Sequence, residues 1–249
     1  MLNRLIVMAQ AIVQPGGIDE IGHTHADVSG GWLRAAVFGA MDGLVTNISL
    51  VAGVGAAGAS ARVIVLTGIA GLVAGAFSMA LGEYTSVQTQ NEQVDREWAI
   101  EEREIRRNPR LEERELSEMF MAMGMTEQTA LAAAHDVHSD VERATLVHLT
   151  QELGMDPTEK PSPKLAAISS FVMFAVGAII PLLPYLLGFA SLTAGLVVGA
   201  AGLLLAGAIA ATFTVQPWWR GAVRQLCFGA IAAGATYLVG ILIGVSAAG

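Results

Sequence analysis

Cysteine is nearly absent: the 249 residues hold one, Cys227, set in an apolar run. This excludes a disulfide framework and a thiolate metal site, and Cys227 reads as a small buried apolar residue. Charge is scarce too, at 14% of residues, and basic charge scarcer, with 14 Lys and Arg against 22 Asp and Glu. A net charge of −8 argues against nucleic acid, which needs a basic surface, and fits attraction of cations. No Walker A loop, nucleophile elbow or dinucleotide fingerprint occurs. An ATP-driven pump is thereby disfavoured, and nothing points to an enzyme. The predicted helices carry no Glu-x-x-His motif, which a ferritin-like di-iron oxidase would need.

Apolar sequence is abundant. Hydrophobic residues make up 53% of the chain and the mean hydropathy is +0.55, values that soluble domains rarely reach. A membrane helix needs about 20 mostly apolar residues. Five segments qualify: 32–57, 63–81, 165–187, 192–215 and 222–245. The expected fold is all-α: a polytopic membrane protein in the lipid bilayer, with a charged helical insert between spans two and three. Its divisions are a tail (1–31), two spans (32–87), the insert (88–160) and three more spans (161–249). Residues 5–13 faintly resemble a signal peptide, but Gln14-Pro15-Gly16-Gly17 follows in place of a small-residue cleavage site. We read this stretch as a loose or amphipathic N-terminus. With the N-terminus inside, Arg62 alone lies outside, which leaves 13 of the 14 basic residues inside. The insert is then cytoplasmic. Glycines recur four apart, at Gly39/Gly43, Gly71/Gly75, Gly195/Gly199 and Gly240/Gly244, a spacing that lets helices approach closely.

The charge is concentrated. Residues 83–164 carry 18 of the 22 acidic and 9 of the 14 basic residues. From Ser78 to Arg107 there is one glycine and no proline, so the second span is expected to continue as one long helix. Asn108-Pro109 ends it. Shorter helices are expected over 110–122, over 126–136 with Thr126 as cap, and over 140–153, closed by Gly154.

Within this layout Asp42 is the sharpest residue. It lies about ten positions into the first span, where an acid costs several kcal/mol unless paired or hydrated. A cation or proton site, or a hydrogen bond to Thr46, would account for it. Met79 and Glu83 stand four apart on one face of the second helix; a soft sulfur beside a hard carboxylate suits a borderline transition-metal ion. In the insert, Glu101/Glu104 and Glu112/Glu115 repeat a three-residue spacing across the Asn108-Pro109 turn. Four carboxylates folded together would repel unless cations neutralise them. His148 and Glu152, four apart, would add an imidazole and a fifth carboxylate. Alternatively these glutamates form a solvated face paired with Arg103, Arg106, Arg107 and Arg114. His135 and His138, with Asp136 between them, form a second candidate cluster, and His23, His25 and Asp27 a third in the tail.

Three stretches in combination resemble the vacuolar iron transporter family: residues 27–34 (DVSGGWLR), 42–45 (DGLV) and 77–87 (FSMALGEYTSV). The five-span layout with a charged insert resembles it as well. The resemblance implies a homodimer with ions passing near the subunit interface, and export of Fe²⁺, often Mn²⁺, from the cytosol in exchange for protons. It implies that Asp42 and Met79 line the membrane path and that Glu101, Glu104, Glu112, Glu115 and Glu152 hold metal in the insert. His148 stands where the family is expected to have a methionine ligand, and Leu149 where another glutamate would be. No prosthetic group is expected. Co²⁺ and Zn²⁺ are further candidate ions. The membrane would be the plasma membrane in a bacterium and the vacuolar membrane in a eukaryote. The competing reading is a membrane-anchored metal buffer or sensor without flux.

Overall fold

The computed structural model describes residues 31–158, 160–214 and 216–247, and their regular structure is helical throughout. His23, His25, Asp27 and the chain's one Glu-x-x-His spacing, Glu20 to His23, lie outside the described residues. The helices are α1 (Trp32–Ala56), α2 (Ala61–Arg107), α3 (Pro109–Ala122), α4 (Glu127–His138), α5 (Val141–Glu152), α6 (Pro163–Ile179), α7 (Leu183–Leu186), α8 (Leu192–Thr212) and α9 (Trp218–Ala247), with a 3₁₀ turn at Ile180–Leu182. Five stretches are long and apolar enough to cross a membrane: α1, the apolar part of α2, Pro163–Leu186, α8 and Trp218–Gly244.

Local chemistry accounts for most boundaries. Ser162 caps α6 by accepting from Leu165 N, and Pro163 occupies the first turn, where its missing N–H costs nothing. Pro181 and Pro184 remove two ladder donors, so the end of this span tightens into the 3₁₀ turn before the short α7. The last span differs from expectation: α9 starts at Trp218, so both tryptophans belong to its first turn and not to a loop. Cys227 also differs. It is exposed on α9, beside outward-facing Phe228 and Val223, so it is not a core residue.

The chain forms two compact units. The first comprises Gly31–Gln88 with the described part of Pro161–Gly249. Here α1 is the hub, packed against α6, α8 and α9. Val51, Ile64, Leu182 and Tyr185 make one buried cluster, Leu44, Ile48 and Leu203 a second, and Ala76, Phe174 and Ala178 a third. The α1–α6 contact is backbone on backbone. A Cβ on Gly43 would lie 2.2 Å from the Phe174 carbonyl oxygen, and one on Gly177 would lie 2.1 Å from that of Ala40. Only glycine permits this approach from both sides. Asn47 pins three helices: its Nδ2 donates to Gly68 O of α2 (3.1 Å) and to Ala178 O of α6 (2.6 Å). The outer surface is apolar, with Leu66, Ile231 and Leu238 at 68%, 71% and 62% exposure, as a face turned to lipid requires.

The second unit is Thr89–Lys160 among the described residues. It contains the charged end of α2 with α3, α4 and α5. Pro109 begins α3, Thr126 caps α4 through Thr129 N and Asp140 caps α5 through Arg143 N. Gly124 and Gly154 take positive φ at the breaks. Ile105, Leu116, Ala130, Ala134, Ala144 and Leu149 are buried. Leu149 is thus an apolar core residue, next in sequence to a polar site.

Candidate metal centre

Within the second unit α2 and α5 bring three donor residues together, Glu101, His148 and Glu152, and the charges of Glu104, Glu112 and Glu115 act on Glu101 from nearby. The end of α2 supplies Glu101 and Glu104, α3 supplies Glu112 and Glu115, and α5 supplies His148 and Glu152. The turn between α2 and α3 is held in part by Asn108, whose Nδ2 donates to Glu104 Oε2 at 3.2 Å. His148 is fully buried. Its Nδ1 lies 3.3 Å from Glu101 Oε1 and 3.8 Å from Glu152 Oε2, and donor atoms of the three residues all fall within 4.8 Å of one another. An ion about 2.1 Å from each of two such donors leaves them about 3.0–3.4 Å apart, so the spacing suits a shared first-row cation.

Two atoms at this point lack hydrogen-bond partners while buried: Glu101 Oε1 and His148 Nδ1. Buried polar atoms without partners are uncommon and costly. Here the two face each other, and an ion between them would satisfy both.

The electrostatics follow from the same convergence. Burial, then the charges of Glu112, Glu152, Glu115 and Glu104, push the Glu101 carboxyl up to about 7. Burial and neighbouring glutamates also raise Glu112 and Glu152. Burial lowers His148, against an opposing influence from Glu115. A lowered imidazole keeps a free lone pair at neutral pH, as a ligand needs. Raised carboxylates mark unpaired negative charge in a low-dielectric place.

The alternative of arginine-paired glutamates does not match the contacts. Arg106 pairs with Glu102, and Arg103 donates to the Ala99 carbonyl. Among the described residues no ion pair joins an arginine to Glu101, Glu104, Glu112 or Glu115. The His135–Asp136–His138 cluster does not form either. His135 turns to Glu113 (3.0 Å), while His138 Nε2 lies 3.1 Å from His148 Nε2. His138 thus belongs to the centre, a link that sequence spacing misses. The two histidines are ten apart and separated by the Ser139-Asp140 break, so only the α4–α5 turn brings them together.

In the first unit Asp42 is half-buried on α1, and no hydrogen bond joins it to Thr46. Met79 packs against Ala76, Phe174 and Ala178. Gly43, next to Asp42 in sequence, lies against the Phe174 carbonyl. Glu83 does not join them through its carboxylate. It is buried and accepts from Arg34 Nη2 of α1 at 2.9 Å, a partner that the Met79–Glu83 spacing did not suggest.

The model of the VIT family matches residues 33–241, a stretch that includes Asp42, Met79, Glu83, Glu101, Glu104, Glu112, Glu115, His148 and Glu152. The chain belongs to the VIT family. It is 34% identical over 230 residues to the Vacuolar iron transporter of Acanthamoeba castellanii, spanning 89% of this chain and 83% of that one. It is 30% identical over 222 residues to Vacuolar iron transporter 1 of Arabidopsis thaliana, spanning 86% and 88%. With Vacuolar iron transporter homolog 1 of Oryza sativa subsp. japonica it shares 35% over 219 residues, 86% and 74% of the two chains. The VIT-family match therefore takes in the apolar helices and the acidic unit together.

Proposed function

We propose that this chain exports Fe²⁺, and Mn²⁺ with it, from the cytosol in exchange for protons. The observation that carries the reading is the buried pair Glu101 Oε1 and His148 Nδ1, unpartnered and aimed at each other beside Glu152, in a chain of the VIT family. Iron comes to the reading from the names of the relatives. The donor chemistry agrees, since imidazole with carboxylates suits Fe²⁺, Mn²⁺, Co²⁺ and Zn²⁺ better than Mg²⁺ or Ca²⁺.

In this reading the insert is cytoplasmic, as the bias of basic residues supports. Glu101, Glu104, Glu112, Glu115, His148 and Glu152 gather the ion and raise its concentration near the membrane. Asp42 and Met79 pass it between the helices, with an acid and a soft sulfur as successive ligands. Glu83, neutralised by Arg34, holds α1 to α2 at the end of that path. Two copies of the chain assemble, with the path near their contact. Protons displace metal from carboxylates, so a proton gradient drives the exchange.

The test is flux. Purified protein in liposomes, loaded with a metal-sensitive dye, is given Fe²⁺ under reducing conditions, with and without an inward-acid gradient. Gradient-dependent uptake that Asp42→Ala abolishes supports the reading. Wild-type flux in Asp42→Ala removes the assigned path. Stoichiometric binding without flux leaves a membrane-anchored metal buffer.

A further inference from the structure

We propose that His138 is a positioning residue of the metal centre, fixing the tautomer of His148 so that Nδ1 presents its lone pair to the ion. The proposal rests on the metal reading of the Glu101–His148–Glu152 cluster and adds a residue to it.

The two ring nitrogens of His148 face different surroundings. The ring is fully buried, so water cannot serve either nitrogen freely. Nε2 meets His138 Nε2 at 3.1 Å, with the two rings crossing at 83° and their centroids 5.2 Å apart. That edge-on geometry points a ring N–H of one histidine at the lone pair of the other. Nδ1 faces Glu101 Oε1 and Glu152 Oε2 and has no hydrogen-bond partner.

Two proton arrangements satisfy the His–His bond. In the first, His138 Nε2–H donates, and His148 must carry its own proton on Nδ1, pointed at Glu101. That arrangement blocks Nδ1 as a ligand. In the second, His148 Nε2–H donates to the bare Nε2 of His138, and Nδ1 is free. The proton count is the same in both, so nothing enters or leaves the pair. An ion bound at Nδ1 selects the second. A ligating histidine commonly donates its other N–H to an outer partner, which fixes the ring and raises its basicity. Here a second imidazole fills that place, and it does so for a histidine whose fellow donors in the cluster, Glu101 and Glu152, are carboxylates.

Loss of such an outer partner typically lowers metal affinity about 10–100-fold. The experiment uses the full chain in detergent with Zn²⁺ and Co²⁺ as probes. In ¹⁵N-histidine-labelled protein loaded with Zn²⁺, His148 is expected as the Nε2–H tautomer with a metal-shifted Nδ1. His138→Leu is expected to bind Zn²⁺ about 10–100-fold more weakly, with altered Co²⁺ visible bands. His138→Gln keeps an acceptor for the Nε2–H and should recover most of the affinity. A merely space-filling His138 would give the opposite order, since leucine fills the site and glutamine does not restore a ring. Zn²⁺-loaded wild type with His148 protonated on Nδ1 would overturn the proposal, and so would Leu and Gln variants that bind alike. If His148→Ala and wild type both fail to shift on adding Zn²⁺, the metal centre falls and the proposal with it; that result differs from binding that is insensitive to His138.

Discussion

Acidification should weaken metal binding at the insert, and Glu101 sets the size of the effect. Its carboxyl is pushed up to about 7, by burial first and then by the four neighbouring glutamates. A metal and a proton compete for the same oxygen, so the apparent dissociation constant scales as one plus the ratio of proton concentration to the acid constant. For a group titrating near 7 that factor is about 1.1 at pH 8 and about 11 at pH 6, a tenfold loss from one residue. Glu112 and Glu152, also raised, add to the loss. His148 adds little, because burial lowers its pKa and leaves it neutral over most of this range. At pH 7 the same numbers give about half a proton released from Glu101 per ion bound. Titration calorimetry with Mn²⁺, run in two buffers of different ionisation enthalpy, reads affinity and proton release together. A dissociation constant that moves less than about twofold between pH 8 and pH 6 would refute the reasoning. So would a Glu101→Gln variant that keeps the wild-type slope.

Three further outcomes follow from particular contacts. Without metal, the raised Glu101 contributes stability that is present below its ordinary value of 4.5 and lost as pH rises through about 7; hydrogen-exchange protection factors over residues 101–152, corrected for the intrinsic pH dependence of exchange, should therefore rise as the metal-free protein is taken from about pH 8 to about pH 5.5. Gly177→Ala puts a methyl 2.1 Å from the Ala40 carbonyl oxygen, backbone that cannot turn aside, and should cost about 1–3 kcal/mol or prevent folding, read as a lowered melting temperature in detergent; an unchanged melt contradicts the close α1–α6 contact. Asn47→Leu removes two interhelical hydrogen bonds and should cost about 1–3 kcal/mol with metal binding at the insert unaltered, measured by the same melt and by calorimetry.

Much of this molecule is legible from composition and local chemistry. Apolar runs of membrane length mark five spans because lipid demands internally satisfied backbone and apolar side chains over a fixed thickness. Asn108-Pro109, Thr126, Asp140 and the glycines at 124 and 154 mark the insert helices because caps and breakers act within a few residues. The glutamate pairs stand out for the same reason, since i, i+3 spacing places side chains on one helical face. Partner choice is another matter. His138 meets His148 and leaves His135 to Glu113, Glu83 takes Arg34, and Asn47 reaches Gly68 and Ala178, 21 and 131 residues away. No local rule foresees those contacts, because each depends on which helix faces close in space. Cys227 teaches the same lesson in reverse: hydrophobic surroundings in a membrane chain say that a residue avoids water, and the packing of α9 says whether it meets protein or lipid.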